Sequence, residues 1–153
     1  MIDYGDEALR RMIEDVERAY PAEGCGLVFE EGGAVRAVPV ENVLDRYHAK
    51  DPERFPRGSR TGYLLDPRRQ LEAIEAAEAR GGRLAAVFHS HADVGAYFSQ
   101  EDQAQALSAD GAPLLPAVEY LVLSVRVGRC DAIKAFAWDG RAFREREVAL
   151  PGR

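Results

Sequence analysis

The 153-residue chain carries 26 acidic against 20 basic residues, a formal charge of -6, with 46 % hydrophobic and 30 % charged residues. Those proportions describe one soluble globular domain, residues 1–153, and the negative charge argues against nucleic acid as a partner. No apolar run is long enough to span a bilayer, acids and arginines interrupt any signal-peptide core in MIDYGDEALRRMIEDVERAYP, and two cysteines are too few for a disulfide framework; no membrane partner and a cytoplasmic setting are therefore expected.

Leu9, Met12, Ile13 and Val16 recur at helical spacing after Asp3 and Asp6, either of which could cap the start, and the helix should stop near Tyr20–Pro21. CGLVFE and AVRAVPVEN read as two strands joined by EGG, a hairpin signal. Residues 43–62 show no period and read as a long irregular loop, of the kind that is functional or disordered. YLLD is a short strand candidate, and PRRQLEAIEAAEARGG a helix with Pro67 in its first turn and glycines at its end. RLAAVFHSH reads as a buried strand and SQEDQAQALSADG as a helix entered through Ser99. EYLVLSVRV, DAIKAFAW and RAFREREVAL complete the chain as strands, the first with the apolar density of a central strand and the last alternating like an edge. The pattern predicts a mixed sheet flanked by helices, α/β with α+β character.

Chemistry concentrates in VFHSHADVGAYFSQED. Residues two apart on a strand face the same side about 7 Å apart, so His89 and His91 can aim both imidazoles at one point while Ser90 faces away. Residues three apart share a helix face, which puts Ser99 and Asp102 together near a helix start. The stretch from Ala92 to Phe98 is long enough to return that helix start over the strand's end. Two neutral imidazoles and a carboxylate make a three-ligand zinc set with the fourth position left to water, whose pKa zinc would lower towards about 7. Taken apart, the His-x-His could be two hydrogen-bonded histidines and the Ser-x-x-Asp a plain helix cap. Together, at this spacing, they arise by chance on the order of once in ten thousand sequences of this composition. Hydrolysis also needs a proton carrier. Glu23, in YPAEGCGLVFE, lies between a predicted helix and a predicted strand, yet spacing cannot separate it from the other acids.

HSHADVGAYFSQED resembles the JAMM signature of the MPN (Mov34/PAD-1) metallopeptidases, and AEGCGLV resembles the upstream segment that carries that family's catalytic glutamate. The resemblance implies a JAMM/MPN-like, cytidine-deaminase-like architecture holding one catalytic Zn2+. It implies His89, His91 and Asp102 as zinc ligands, Glu23 as the general base that later protonates the leaving nitrogen, and Ser99 as a donor to the oxyanion. Ala92 stands where the family often has proline, which would loosen the loop leaving the strand but removes no ligand. The compact chain is most similar to the short bacterial branch of the family. Members of that branch cut after the Gly-Gly end of ubiquitin-like sulfur-carrier proteins, including release of a cysteine built on the carrier. That implies a carrier protein with a Gly-Gly C-terminus as partner. Its tail would pair with an edge strand, and its surface would meet the loop from Arg46 to Arg60, which holds five basic residues against Asp51 and Glu53.

Cys25 lacks the local pattern of a cysteine protease and reads as a buried strand residue. His48 reads as a surface residue, and Phe136 and Trp138 as core and edge packing. Three functions fit: a zinc peptidase or isopeptidase acting on carrier conjugates, a zinc amidohydrolase of the same fold with another small amide substrate, and a non-catalytic scaffold.

Overall fold

The computed structural model describes residues 1–152. Six strands, β1 (Cys25–Glu31), β2 (Ala34–Val40), β3 (Arg83–Ala92), β4 (Glu119–Arg126), β5 (Arg129–Trp138) and β6 (Phe143–Val148), form one sheet in the order β2–β1–β3–β4–β5–β6. Every neighbouring pair is antiparallel except β3 and β4, which run parallel. With helices α1 (Gly5–Ala19), α2 (Leu44–Lys50), α3 (Pro67–Ala79) and α4 (Gln100–Ala106), this is the mixed α+β architecture expected, with β4 interior and β6 at an edge.

Strand alternation divides the core into two layers. On one face Val28, Phe88, Leu121 and Leu123 bury against Leu9, Met12, Ile13 and Val16 of α1. On the other, Leu27, Phe29, Val87 and Val122 pack with Ala77 of α3, with Phe98 just ahead of α4 and with Ala106 at its end. His89 and His91 continue the Val87 face of β3. Two glycines let these layers close. A Cβ on Gly24 would stand 3.0 Å from the Val16 Cα, and one on Gly26 would stand 2.5 Å from both the Phe88 ring and the Val38 carbonyl.

Several local expectations are corrected. The N-cap residue of α1, Tyr4, makes no side-chain cap bond, and of the two acids it is Asp3 that accepts from the first helical N–H, that of Gly5, at 3.1 Å. Residues 43–62 hold α2, whose only buried residue is Leu44, so no apolar period announces it. Polar closures hold that segment: Asp45 accepts from the Ser59 N–H and hydroxyl, each at 2.7 Å, and Tyr47 meets Phe55 edge-on. His48 is half-buried there, its Nδ1 2.6 Å from the Phe55 carbonyl, rather than at the surface. YLLD is not a strand but a single bridge between Leu65 and Asn42. Tyr63 and Leu65 turn inward as apolar anchors, and the Asp66 side chain caps α3.

Candidate metal centre

Pairing fixes the two histidines. His89 lies opposite Cys25 of β1 and Val122 of β4, and His91 opposite Ser124 of β4, so both rings leave the sheet on one side, at the end of β3. The chain turns at Asp93, whose φ of 63° lies in the left-handed region tolerated by aspartate. Ala92 does not loosen this exit. It still pairs with Val125, and the Asp93 carboxylate accepts from the Tyr20 hydroxyl at 2.6 Å and the Val127 N–H at 2.8 Å.

The returning chain enters α4 through a capping box. Ser99 Oγ accepts from the Asp102 N–H at 3.0 Å, and Asp102 Oδ2 accepts from the Ser99 N–H at 3.1 Å. The same Oδ2 lies 3.1 Å from His89 Nε2 and 3.1 Å from His91 Nε2, while the two Nε2 atoms are 3.3 Å apart. Bonds of 2.0 to 2.1 Å to a tetrahedral centre demand ligand-to-ligand edges of about 3.3 Å. The three atoms therefore already have the spacing of three corners of a zinc tetrahedron.

Glu23 arrives from the other side. Its N–H donates to the Ser59 carbonyl at 2.7 Å, and its carbonyl accepts from Asn42 Nδ2 at 2.9 Å. Gly24 is clamped to β3 between the histidines: its N–H donates to Ser90 Oγ at 2.8 Å and its carbonyl accepts the Ser90 N–H at 3.0 Å. Glu23, His89 and His91 each offer a ligand atom within 4.8 Å of the others, a cluster able to hold a metal ion.

Burial is complete. Glu23 is 5 % exposed, His89 0 %, His91 4 % and Asp102 5 %. Among the described residues Glu23 Oε1 has no hydrogen-bond partner, and burial pushes its carboxyl up to about 8, with His91 and Arg57 pulling it back and Asp102 pushing it further. Burial holds His89 below its ordinary value. It works against the His91 imidazolium too, but the Asp102 hydrogen bond and charge outweigh it and raise that ring. Burial likewise opposes the Asp102 carboxylate, yet the hydrogen bonds from both histidines hold it well below the usual range. Two imidazoles and a carboxylate crowded together, beside a partnerless buried carboxyl oxygen, is a donor set that fits a divalent cation.

The ring planes are fixed as well. Tyr63 stacks on His89, centroids 4.3 Å apart and planes 18° from parallel, and Tyr97 meets His91 edge-on at 4.8 Å. His91 Nδ1 lies 3.1 Å from the Gly95 carbonyl. Sequence reasoning missed Ser90, Asn42 and Tyr63 as positioning residues. Each acts across the fold, and nothing local marks it. Cys25 is buried as expected, and burial pushes its thiol up, away from nucleophilic use. Phe136 stacks on Phe98 and Trp138 meets Phe143, which is packing.

The fold carries a buried cluster able to hold a metal ion, and comparison with known proteins supplies the family. Residues 5–139 match the prokaryotic homologues of the JAB domain, and the chain belongs to that family. Among solved structures it is similar to protein DSY2949 of Desulfitobacterium hafniense, with 25 % identity and a TM-score of 0.67 over 96 % of this chain and 90 % of that one. A protein from Salinibacter ruber shares the fold, with 24 % identity and a TM-score of 0.61 over 98 % and 92 %. AF2198, a JAB1/MPN domain protein of Archaeoglobus fulgidus, aligns at 13 % identity and a TM-score of 0.48 over 94 % and 92 %. No curated protein matches the chain. Among the described residues no helix is long and apolar enough to cross a membrane.

Proposed function

We propose that this protein is a zinc-dependent peptidase that hydrolyses the amide bond following the Gly-Gly C-terminus of a ubiquitin-like or sulfur-carrier protein, release of a carrier-borne cysteine included. The observation that carries the reading is the near-equilateral spacing of His89 Nε2, His91 Nε2 and Asp102 Oδ2, at 3.1 to 3.3 Å, beside the partnerless Glu23 Oε1. His89, His91 and Asp102 would hold the ion. When bound, zinc supplies Lewis acidity, lowering the pKa of a water towards about 7 and polarising a carbonyl.

The chain's own residues supply the rest. Glu23 takes a proton from the attacking water on its carboxylate and returns it to the leaving nitrogen. Burial pushes this carboxyl up to about 8, and a divalent cation held by the neighbouring histidines would pull it back down, leaving a carboxylate able to take that proton. Ser99 Oγ accepts from the Asp102 N–H, which leaves its O–H free to donate to the oxyanion that forms on the attacked carbonyl. Tyr63 and Tyr97 hold the imidazole planes, and the Ser90 clamp on Gly24 holds Glu23 over them.

The carrier's tail would extend the sheet at an open edge. β2 offers one, with a cavity of about 580 Å³ between Val38–Glu41 and Arg69, Glu72 and Ala73 of α3. Arg46 and Arg54 would meet acidic groups of the carrier, and loss of carrier affinity on their charge reversal is the check on that contact.

The deciding experiment is mass-spectrometric cleavage of a sulfur-carrier protein extended beyond Gly-Gly by one cysteine or by a longer peptide. Zinc-loaded wild type, chelated enzyme and Glu23→Ala are run side by side. Cleavage after Gly-Gly that disappears in both controls supports the peptidase. Stoichiometric zinc without cleavage moves the reading to a small amide substrate, and absence of both leaves a scaffold.

A further inference from the structure

Arg57 is the half-buried arginine of its loop, where Arg46, Arg54 and Arg60 are exposed. Arg46 lies 3.8 Å from Glu41 and 3.9 Å from Asp66, and Arg54 lies over the Phe55 ring. Arg57 is half-buried, yet among the described residues it has no carboxylate partner; its Nη1 donates to the Thr61 carbonyl, using one of the five N–H groups of a guanidinium. Its Nη2 rests against Gly62, 3.2 Å from where a Cβ would stand. This short segment is sewn to the backbone of Glu23 twice. Ser59 accepts the Glu23 N–H at 2.7 Å, and the Asn42 amide bridges the carbonyls of Glu23 and Gly62 at 2.9 and 3.1 Å. The segment that carries Arg57 is thus held against the backbone of Glu23, and against the upward push of burial the Arg57 charge, with that of His91, pulls on the Glu23 carboxyl.

A half-buried guanidinium in no ion pair among the described residues, on a segment tied to a proton donor, is a site for an anion. From this placement we infer that Arg57 binds the α-carboxylate of the residue being released and so sets a preference for a free carboxylate at that position. The inference rests on the peptidase reading and names the leaving group. In a leaving amino acid the nitrogen and the carboxylate carbon are separated by one Cα, about 2.5 Å apart through space. The group that protonates the nitrogen and the group that grips the carboxylate must therefore lie close together, and the Ser59 and Asn42 bonds tie the Arg57 segment to Glu23. Hydrolysis places the hydroxyl of water on the glycine carbonyl carbon and a proton on the departing amine; Arg57 is unchanged.

The test compares a carrier ending in Gly-Gly-Cys with a free carboxylate against the same carrier ending in the cysteine carboxamide, using zinc-loaded full chain. Wild type should favour the free acid by about 10- to 100-fold in kcat/KM, chiefly through KM. In Arg57→Gln that ratio should fall to near one, and Arg57→Lys, which keeps charge but not the fork, should fall between. Equal use of acid and amide by wild type overturns the inference alone, and so does a ratio that survives Arg57→Gln. No cleavage of either substrate overturns the peptidase reading and the inference with it.

Discussion

Glu119 at the start of β4 and Glu23 before β1 are equally buried, at 8 % and 5 % exposure, and the fold treats them in opposite ways. Glu119 Oε1 accepts from the Tyr4 hydroxyl at 2.6 Å and Arg146 Nη2 at 2.8 Å, and its Oε2 accepts from Arg146 Nε at 3.2 Å. Burial alone would raise this carboxyl, but Arg146 and Tyr4 outweigh it and bring it below the ordinary value. Arg146 also donates to the Ile2 carbonyl at 2.9 Å, so the network ties the N-terminal lead and β6 to β4. Glu23 has backbone anchors on every side and no donor on Oε1. A buried acid with its donors supplied is a joint of the fold. One left without them is held ready for a proton or a ligand from outside.

The strongest way to break the contrast is to remove a ligand. Asp102→Ala should lose stoichiometric zinc, read by elemental analysis, and lower cleavage by more than about 10⁴-fold. Glu23→Gln should keep zinc and slow turnover by about 10²- to 10⁴-fold. The same variant sharpens the comparison in the metal-free protein. The Glu23 carboxyl rests at about 8 in the fold and near 4.5 in the unfolded chain, so between those pH values the folded state binds more protons. Its contribution is whole below pH 4.5 and is lost as pH rises towards 8. Wild-type stability in urea should thus fall by on the order of 3 kcal/mol from about pH 5 to pH 8 relative to Glu23→Gln. Ser99→Ala should slow cleavage by about 10²- to 10³-fold and uncap α4 by ~1 kcal/mol. Glu119→Ala is the mildest. It strands an Arg146 side chain that is 24 % exposed, so water relieves part of the loss. Stability should drop by about 2 kcal/mol, with zinc content and turnover unchanged.

The sheet was legible because its strands are bounded by turn residues and α1 and α3 by helical period or Pro67. The ligand-spaced residues were legible because His-x-His uses strand alternation and Ser-x-x-Asp uses a helix start, both local rules. α2 was not, since Leu44 is its single buried residue and the bonds that hold it, Asp45 to Ser59 and His48 to Phe55, span a turn of no fixed pattern. Glu23 drew attention only through family resemblance. Its neighbours Asn42, Ser59 and Ser90 come from three other segments, and no spacing within one stretch encodes such a meeting.

The parallel pairing of β3 and β4 forces residues 93–118 to carry the chain back along the sheet. That return is built in two parts. The first holds Ser99 and, in α4, Asp102; the second closes on itself, with Leu107 bridged to Pro113 and the Ser108 N–H donating to Ala112 at 2.7 Å. Its tip, Asp110–Gly111, is exposed. Chain inserted at that tip would grow outward from a loop already shut behind it, and each doubling of loop length costs only about 0.6 kcal/mol. The half with Ser99 and Asp102 lies on the far side of that closure. The return is therefore a place where the fold can be extended while Asp102 stays where it is.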